Sequence, residues 1–227
     1  MSISQQLMAV QERINKACIN SNGHKSDHVT LVAVSKTKPL SMVIEAYNQG
    51  QRHFGENYLQ DALDKISANP HKDIVWHFIG ALQSNKTRSI AENFAWVHTI
   101  ERKKIAQRLN DQRPAELPPL KVCLQVNISN EANKSGVSLA DLSTLAAQVD
   151  ALPRLELAGL MCIPAANQPA AKQQQAFADM AMAQEQLQQT YPKLTQLSMG
   201  MSADLELAIA HGATMVRIGT DIFGARN

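Results

Sequence analysis

The stretches Ser198-Met-Gly-Met-Ser202 and Met215-Val-Arg-Ile-Gly-Thr220 decide how this chain folds. Each is a short apolar run that ends in a turn rich in glycine or hydroxyl side chains, and a helical pattern lies between them. Upstream, six more apolar runs alternate with helical patterns in the same way. The two stretches are therefore the last two of eight predicted strands, and Ser202, Gly219 and Thr220 follow the ends of those strands.

Apolar runs without alternation are typical of strands buried on both faces, as in a parallel sheet. The predicted strands are Thr30–Ser35, His53–Gly55, Ile74–Gly80, Trp96–Ile100, Leu120–Ile128, Glu156–Ile163, Gln196–Met199 and Met215–Ile218. The predicted helices are Ile3–Asn20, Pro39–Asn48, Tyr58–Ala68, Asn85–Glu92, Arg102–Asp111, Leu139–Ala151, Ala170–Gln189 and Ala203–Ala210.

Eight parallel strands form either a closed barrel or an open doubly wound sheet. The open sheet predicts a Gly-x-Gly-x-x-Gly turn after an early strand, and none follows Lys36. We therefore predict a single α/β domain over residues 1–227, a (β/α)₈ TIM barrel with an extra N-terminal helix.

Composition excludes several classes of protein. The chain has 227 residues and a formal net charge of +2, and its basic residues are scattered, unlike those of a nucleic-acid-binding protein. No apolar run approaches the roughly 18 residues of a membrane span, and the N-terminus lacks the features of a signal peptide. Three widely spaced cysteines indicate reduced thiols. We expect a cytoplasmic protein that does not bind membranes.

The loops after strands seven and eight of a (β/α)₈ barrel often hold a phosphate group. Ser202 precedes the helix predicted from Ala203, so its hydroxyl and the first N–H groups of that helix would face a phosphate. Gly219 allows close backbone approach, and Thr220 adds a hydroxyl. Ser202 is equally suited to be a plain helix N-cap.

Lys36 lies at the end of the first strand, at the same mouth of the barrel. A lysine facing a phosphate site is the arrangement that holds pyridoxal phosphate as a Schiff base, although a solvated lysine, like Lys38, is the simpler alternative. The guanidinium of Arg217 would disfavour protonation of a pyridine nitrogen, because like charges repel. Arg217 is otherwise expected to pair with Asp221 or Glu56.

Four motifs together are similar to those of a known family. Ser35–Lys38, His53–Tyr58, Trp76–Lys86 and Ser198–Gly224 strongly resemble the pyridoxal phosphate homeostasis protein family, a barrel of the alanine racemase N-terminal type. The resemblance runs in order from about residue 29 to residue 226.

The resemblance implies a role for each candidate residue. Lys36 would form the Schiff base, Ser202, Gly219 and Thr220 would bind the phosphate, Arg217 would face the pyridine nitrogen, and Asn57 would lie near the ring. It also includes Lys134, for which a secondary phosphate contact is conceivable.

The histidines give weaker indications of function than these candidate residues. His77 fits a structural, hydrogen-bonded role at least as well as a catalytic one. His24 and His28 are four residues apart in a polar loop without a third ligand, so we expect no metal site.

Two functions fit the same pocket. One is a carrier of pyridoxal phosphate that buffers or delivers it to apoenzymes, and the other is an amino-acid racemase. Racemisation needs an acid–base group on each face of the α-carbon. The related racemases take the second group, a tyrosine, from an additional domain, for which the chain leaves no room after its last strand; of its tyrosines, only Tyr58 lies on a plausible face. A phosphosugar barrel enzyme would leave Lys36 and Arg217 without a role. We expect a monomeric, non-enzymatic carrier.

Overall fold

The barrel predicted from the alternating pattern is present. The computed structural model describes residues 2–21, 29–131, 134–165 and 168–225. Eight parallel strands follow one another around a closed barrel, and the last pairs with the first. They are β1 Thr30–Val34, β2 His53–Glu56, β3 Val75–Phe78, β4 Trp96–Ile100, β5 Leu120–Val126, β6 Leu155–Cys162, β7 Gln196–Ser198 and β8 Met215–Ile218.

Helices surround the barrel and cover its outer face. They are α1 Ile3–Asn20, α2 Leu40–Asn48, α3 Leu59–Ala68, α4 Thr87–Asn93, α5 Lys103–Gln112, α6 Leu142–Asp150, α7 Ala170–Gln188, α8 Leu205–Ala210 and α9 Thr220–Phe223. None of the helices within the described ranges is long and apolar enough to cross a membrane.

The register of the strands determines which side chains point into the barrel. Val32 pairs with Arg217, Val34 with Gly55, and Gly55 with His77. Paired residues of neighbouring strands share a face of the sheet, and faces alternate along each strand. Arg217 and His77 therefore point into the same interior as Val32 and Val34, towards the axis of the barrel.

The extra N-terminal helix is a regular element of the fold. Ser2 caps α1 with a capping box, in which its hydroxyl accepts from the Gln5 amide at 3.2 Å and the Gln5 side chain accepts from the Ser2 amide at 3.0 Å. The apolar face of α1, which includes Val10 and Ile14, is buried, and the helix packs against α2, α8 and α9. Helix α1 therefore adjoins the loops that follow β7 and β8.

Most element boundaries differ from the sequence prediction by one to three residues, and one short helix was not predicted. Helix α8 begins at Leu205 instead of Ala203, because residues 202–204 form a turn. Pro39 is the N-cap of α2 and not part of its first turn. Helix α9, only four residues long, was too short to give a periodic signal. Gly50 and Gly212 follow α2 and α8 and have positive φ, 94° and 88°, as glycines often do after a helix.

Candidate functional site

All six residues singled out in the sequence meet at one cavity. It has a volume of about 430 Å³ and lies at the carboxyl ends of the strands, where barrel enzymes and binding proteins place their sites. Its walls include Lys36, Asn57, Ser202, Arg217, Gly219 and Thr220. Residues from four separate β–α connections and one strand thus converge on a space of the size that holds a small cofactor.

Lys36 follows β1 and is half-buried. The next residue, Thr37, has a φ of 62°, in the left-handed region that β-branched residues rarely adopt. Such backbone strain concentrates at binding sites, where the surrounding structure holds it in place. The turn after β1 therefore has a constrained shape just where Lys36 enters the cavity.

A buried ion pair fixes the end of β1. Lys65 of α3 donates from Nζ to the Ser35 carbonyl at 2.8 Å and to Oε1 of Glu56 at 2.8 Å, and it also reaches Asp61 at 2.9 Å. The Ser35 hydroxyl donates to the same Glu56 oxygen at 2.6 Å. Burial raises the pKa of Glu56, and its contacts with Lys65 and Ser35 offset part of that rise. This network ties α3 and the ends of β1 and β2 together beneath Lys36.

Arg217 is buried in β8, with 5% of its surface exposed. Its Nη1 donates to the Ser198 hydroxyl at 2.7 Å and its Nη2 to the Cys162 carbonyl at 3.0 Å. Across the described residues, no carboxylate forms an ion pair with it. The two partners considered from sequence are engaged elsewhere, Glu56 with Lys65 and Asp221 with Arg13. The guanidinium therefore faces the cavity with neutral hydrogen-bond partners, and the Asp204 carboxylate acts on it only through space.

The loops after β7 and β8 carry the predicted phosphate-binding residues. Ser202 is half-buried in the turn before α8, and Asp204 closes that turn by accepting from the Met201 amide at 2.6 Å. Gly219 is the N-cap of α9, and Thr220 is its exposed first residue. Because α8 starts only at Leu205, the first amides after Ser202 belong to a turn instead of a helix, which corrects the helix-terminus argument made from the sequence.

Arg13 of α1 links these two loops, a role that the sequence did not suggest. Its Nη2 donates to the Ser202 carbonyl at 2.8 Å, and its Nη1 donates to Asp221 at 2.6 Å. Its Nε pairs with Glu206 of α8 at 2.7 Å. Arg13 lowers the pKa of the Glu206 carboxyl. One guanidinium thus holds both loops and neutralises the carboxylates beside them.

Asn57 reaches the cavity from the end of β2. Its Oδ1 is buried and has no hydrogen-bond partner. The absence of a side chain at Gly80 brings the next connection against it, since a Cβ at Gly80 would lie 2.2 Å from the Asn57 carbonyl oxygen. A buried oxygen without a partner is costly unless something supplies a donor.

Three histidines form a chain inside the barrel, and sequence reasoning considered only one of them. His53 Nδ1 lies 2.9 Å from His77 Nε2, and His77 Nδ1 lies 2.9 Å from His98 Nε2. His98 Nδ1 lies 2.7 Å from the Ser198 hydroxyl. His77 is thus a hydrogen-bonded histidine, and its chain leads to Arg217. His53 and His98 could have been identified from the sequence only by knowing which residues of β2 and β4 point into the barrel. That knowledge requires the register of the strands.

The remaining candidates lie apart from the cavity. Lys134 pairs with Glu131 at 2.8 Å and is not among the lining residues. The three cysteines are free and buried, and burial raises the pKa of Cys123 and of Cys162 to about 12. His24 and His28 lie outside the described residues, and within the described part of the chain no cluster of three or more potential ligands could hold a metal ion.

Comparison with known proteins identifies relatives of this chain. The family model described as alanine racemase, N-terminal domain, matches residues 8–227. The pyridoxal phosphate homeostasis protein of Escherichia coli (strain K12) is 53% identical over 228 residues, which cover 99% of this chain and 97% of that protein. The protein of the same name from Vibrio cholerae is 50% identical and covers 100% and 97%. This chain belongs to the pyridoxal phosphate homeostasis protein family.

Solved structures agree with this membership. PipY of Synechococcus elongatus PCC7942, solved without pyridoxal phosphate, is 38% identical with a TM-score of 0.88, and the match covers 98% of this chain and 100% of that one. The structure of PipY with pyridoxal phosphate bound is 37% identical with a TM-score of 0.83. Alanine racemase from Corynebacterium glutamicum, at 17% identity, a TM-score of 0.66 and 61% coverage of its chain, shares the fold alone. The family resemblance expected from the four motifs is confirmed.

Proposed function

We propose that this protein binds pyridoxal 5'-phosphate and acts in its homeostasis, holding the reactive aldehyde and releasing it to apoenzymes without substantial catalysis. One observation carries the proposal. Lys36 and a buried, unpaired Arg217 face the same cavity as two loops that carry glycine and hydroxyl groups. An amine, a cation and a phosphate site in one pocket match the aldehyde, pyridine nitrogen and phosphate of this cofactor.

The residues present fit this ligand. The buried Oδ1 of Asn57 has no hydrogen-bond partner, and the guanidinium of Arg217 forms no ion pair among the described residues, so both can interact with a bound group. Two lysines, Lys36 and Lys38, line the cavity, so its charge suits a phosphate dianion. A phosphosugar would satisfy the loops after β7 and β8, but it would leave Arg217, inside the barrel on β8, without a role.

Each residue has a distinct task in this proposal. Lys36 would hold the cofactor through its amine, the group that reacts with an aldehyde. Ser202, Gly219 and Thr220 bind the phosphate oxygens. Arg217 faces the ring nitrogen and opposes its protonation, since a second positive charge there is repelled. When bound, the cofactor supplies an aldehyde and an electron-withdrawing ring.

The relatives support the same ligand. PipY has been solved with pyridoxal phosphate bound, and the relatives from Escherichia coli and Vibrio cholerae are named for its homeostasis. By extension we propose that this protein works in the cytoplasm, as a monomer.

The arrangement favours a carrier over a racemase. A racemase needs a second acid–base group opposite Lys36, and no tyrosine is among the described residues that line the cavity. Tyr47 donates to Asp73 at 2.7 Å, and Tyr58 is 51% exposed. Arg217 also weakens the ring as an electron sink, because an unprotonated ring stabilises a carbanion poorly.

The test is to trap the covalent bond. The protein is saturated with pyridoxal phosphate, reduced with borohydride and digested, and the adduct is located by peptide mass analysis. We expect the adduct on Lys36. Lys38 is the internal control, because it lies two residues away on the wall of the same cavity and donates to the Ala225 carbonyl at 2.7 Å. An adduct mainly on Lys38, Lys86 or Lys134 would contradict the assignment.

A further inference from the structure

The histidine chain crosses the barrel and ends on Arg217. His53, at the first residue of β2, lies at the amino end of the barrel, and the chain continues through His77, His98 and Ser198 to the guanidinium at the carboxyl end. His77, His98 and Ser198 have no exposed surface. Four hydrogen bonds in series therefore connect the bottom of the barrel with the cavity.

Hydrogen-bond accounting favours one direction for this chain. An arginine only donates, so the Ser198 hydroxyl accepts from Arg217. If His98 also donated to Ser198, the hydroxyl proton would have no acceptor among the described residues. If instead Ser198 donates to His98 Nδ1, every buried group is satisfied. An unsatisfied buried donor is costly, so the second arrangement is favoured.

Charge favours the same direction. With Ser198 donating, His98 accepts at Nδ1 and donates from Nε2, and His77 does the same. Each lone pair then points towards the positive charge of Arg217, which is the favourable orientation of a dipole near a cation. In the reverse chain, every N–H would point at that cation.

The charged and titratable surroundings keep the chain neutral. Burial is the largest cause of the lowered pKa values of His53 and His98, and the cations Lys121 and Arg217, at the two ends of the chain of hydrogen bonds, lower them further. Near Arg217 lie Cys123 and Cys162, whose pKa values are raised, and the carboxylate of Asp204. Burial is the main cause of the low pKa of His77. It is also the main cause for His98, whose pKa falls to about 3.

A neutral hydrogen-bond partner orients Arg217 without cancelling its positive charge, which a carboxylate would not do. A carboxylate would orient the guanidinium but cancel its charge towards the cavity. Here the Ser198 hydroxyl and the Cys162 carbonyl fix two of its five N–H groups, and neither carries a charge.

We propose that Ser198 and His98 are positioning residues for Arg217: their polarised, neutral chain of hydrogen bonds holds the guanidinium in place without cancelling the positive charge that it directs at the ring nitrogen of the cofactor. Only the part of this inference that concerns the ring nitrogen rests on the proposed function. The orientation of the chain is a property of the protein without cofactor.

The first test uses the cofactor-free protein. Long-range ¹H–¹⁵N correlation spectra of the histidine rings distinguish the two neutral tautomers and the charged form. We expect His77 and His98 to carry their proton on Nε2 from pH 6 to pH 8. A proton on Nδ1 of His98, or a charged ring in this range, would overturn the proposal.

The second test measures the effect on the cofactor. Ser198→Ala removes the acceptor of Arg217, and we expect about tenfold weaker binding of pyridoxal phosphate. The ring nitrogen, followed by ¹⁵N NMR of labelled cofactor, should then become protonated at a higher pH. Ser198→Thr keeps the hydroxyl and should restore both properties. Thr87→Val is the matched control, since it removes a buried hydroxyl bonded to the Ser84 carbonyl outside the chain.

The outcomes separate this proposal from the proposed function. If the wild-type protein fails to bind pyridoxal phosphate, the proposed function fails, while the tautomer result still tests the direction of the chain. If the wild type binds and Ser198→Ala changes neither affinity nor ring protonation, the positioning role is wrong and the carrier function stands.

Discussion

At the scale of single residues, the cavity is built from groups that would be unfavourable in an ordinary core. Arg217 is a buried cation without a carboxylate, Asn57 has a buried oxygen without a partner, and Thr37 has a left-handed backbone. Each costs stability in the absence of a ligand. Such departures concentrate at sites whose geometry is set by binding instead of by folding.

The strain at Thr37 gives the first prediction at this scale. A β-branched residue in the left-handed region costs on the order of 1–3 kcal/mol, and asparagine tolerates that region far better. Thr37→Asn should therefore raise the free energy of unfolding by about 1 kcal/mol, measured by urea denaturation. Thr190→Asn is the control, because Thr190 is also exposed but does not have positive φ. Equal effects of the two changes would show that Thr37 is not strained.

At the scale of elements, α1 does more than cover the barrel. Arg13 on this helix holds the Ser202 carbonyl and the side chain of Asp221, and so connects the loops after β7 and β8. It also neutralises two carboxylates that would otherwise repel a phosphate dianion. Both effects act on the phosphate and not on the ring of the cofactor.

We expect Arg13→Met to weaken binding of pyridoxal phosphate by about tenfold, since hydrogen bonds to charged groups contribute on the order of 1.5–3 kcal/mol. Binding of pyridoxal, which lacks the phosphate, should change little. Both affinities are measured by absorbance titration at low salt, where the electrostatic part is largest.

Lys16→Met is a matched control for this prediction. It removes the same charge from the same helix, but the one ion pair of Lys16 among the described residues is an exposed pair with Glu12 at 2.7 Å. Loss of affinity for both ligands in Arg13→Met would mean that α1 supports the whole cavity and not the phosphate loops in particular.

The elements also show how much of the structure could be predicted from the sequence. The eight strands, the closed barrel and the meeting of Lys36 with the loops after β7 and β8 could be predicted, because they depend on local periodicity and on the order of elements. The start of α8 could not, since Ser202 is a good N-cap by type while Asp204, two residues later, closes the turn instead. The contact of Arg13 with Asp221 joins residues at opposite ends of the chain.

The interior histidines illustrate the same limit. The local sequence of β4 does not show that His98 has a particular role. That role depends on the residues beside it in the closed barrel, which are His77 and Ser198, the latter 100 residues away in sequence.

At the scale of the whole molecule, the buried histidines link stability to pH. The folded pKa of His98, about 3, is below its ordinary value of 6.5. Its contribution to stability is therefore complete above pH 6.5 and is lost as the pH falls from 6.5 towards 3, because only the unfolded chain takes up the proton. His77 acts in the same direction.

We expect the free energy of unfolding to fall between pH 6.5 and pH 5, by at most about 1.4 kcal/mol per pH unit for each of these histidines. Urea denaturation at a series of pH values measures the slope. His98→Gln should be less stable overall but should have a flatter slope by about one proton. Glu56, whose raised pKa acts in the opposite direction, is present in both proteins and cancels in the comparison. An unchanged slope would mean that His98 is charged in the folded protein.

The distinction between carrier and enzyme also belongs to the whole molecule, because racemisation needs two acid–base groups placed by different elements. Among the described residues, Lys36 and Lys38 lie on the cavity wall, two residues apart in the same connection, and no tyrosine lines the cavity. In the proposed function, Arg217 would also keep the ring in its less electron-withdrawing state.

Incubation of the cofactor-loaded protein with L-alanine in deuterated water therefore should give slow exchange of the α-proton at most, and no net D-isomer. Proton NMR follows the exchange, and chiral chromatography follows the isomer. Free pyridoxal phosphate at the same concentration is the control, since the cofactor alone labilises an α-proton to some extent.

We expect exchange near this control level, because the described lining offers no tyrosine as a second acid–base group opposite Lys36 and because the proposed role of Arg217 weakens the electron sink. Steady formation of D-alanine near the median enzyme turnover of about 10 per second would require such a second group, and it would identify the protein as a racemase.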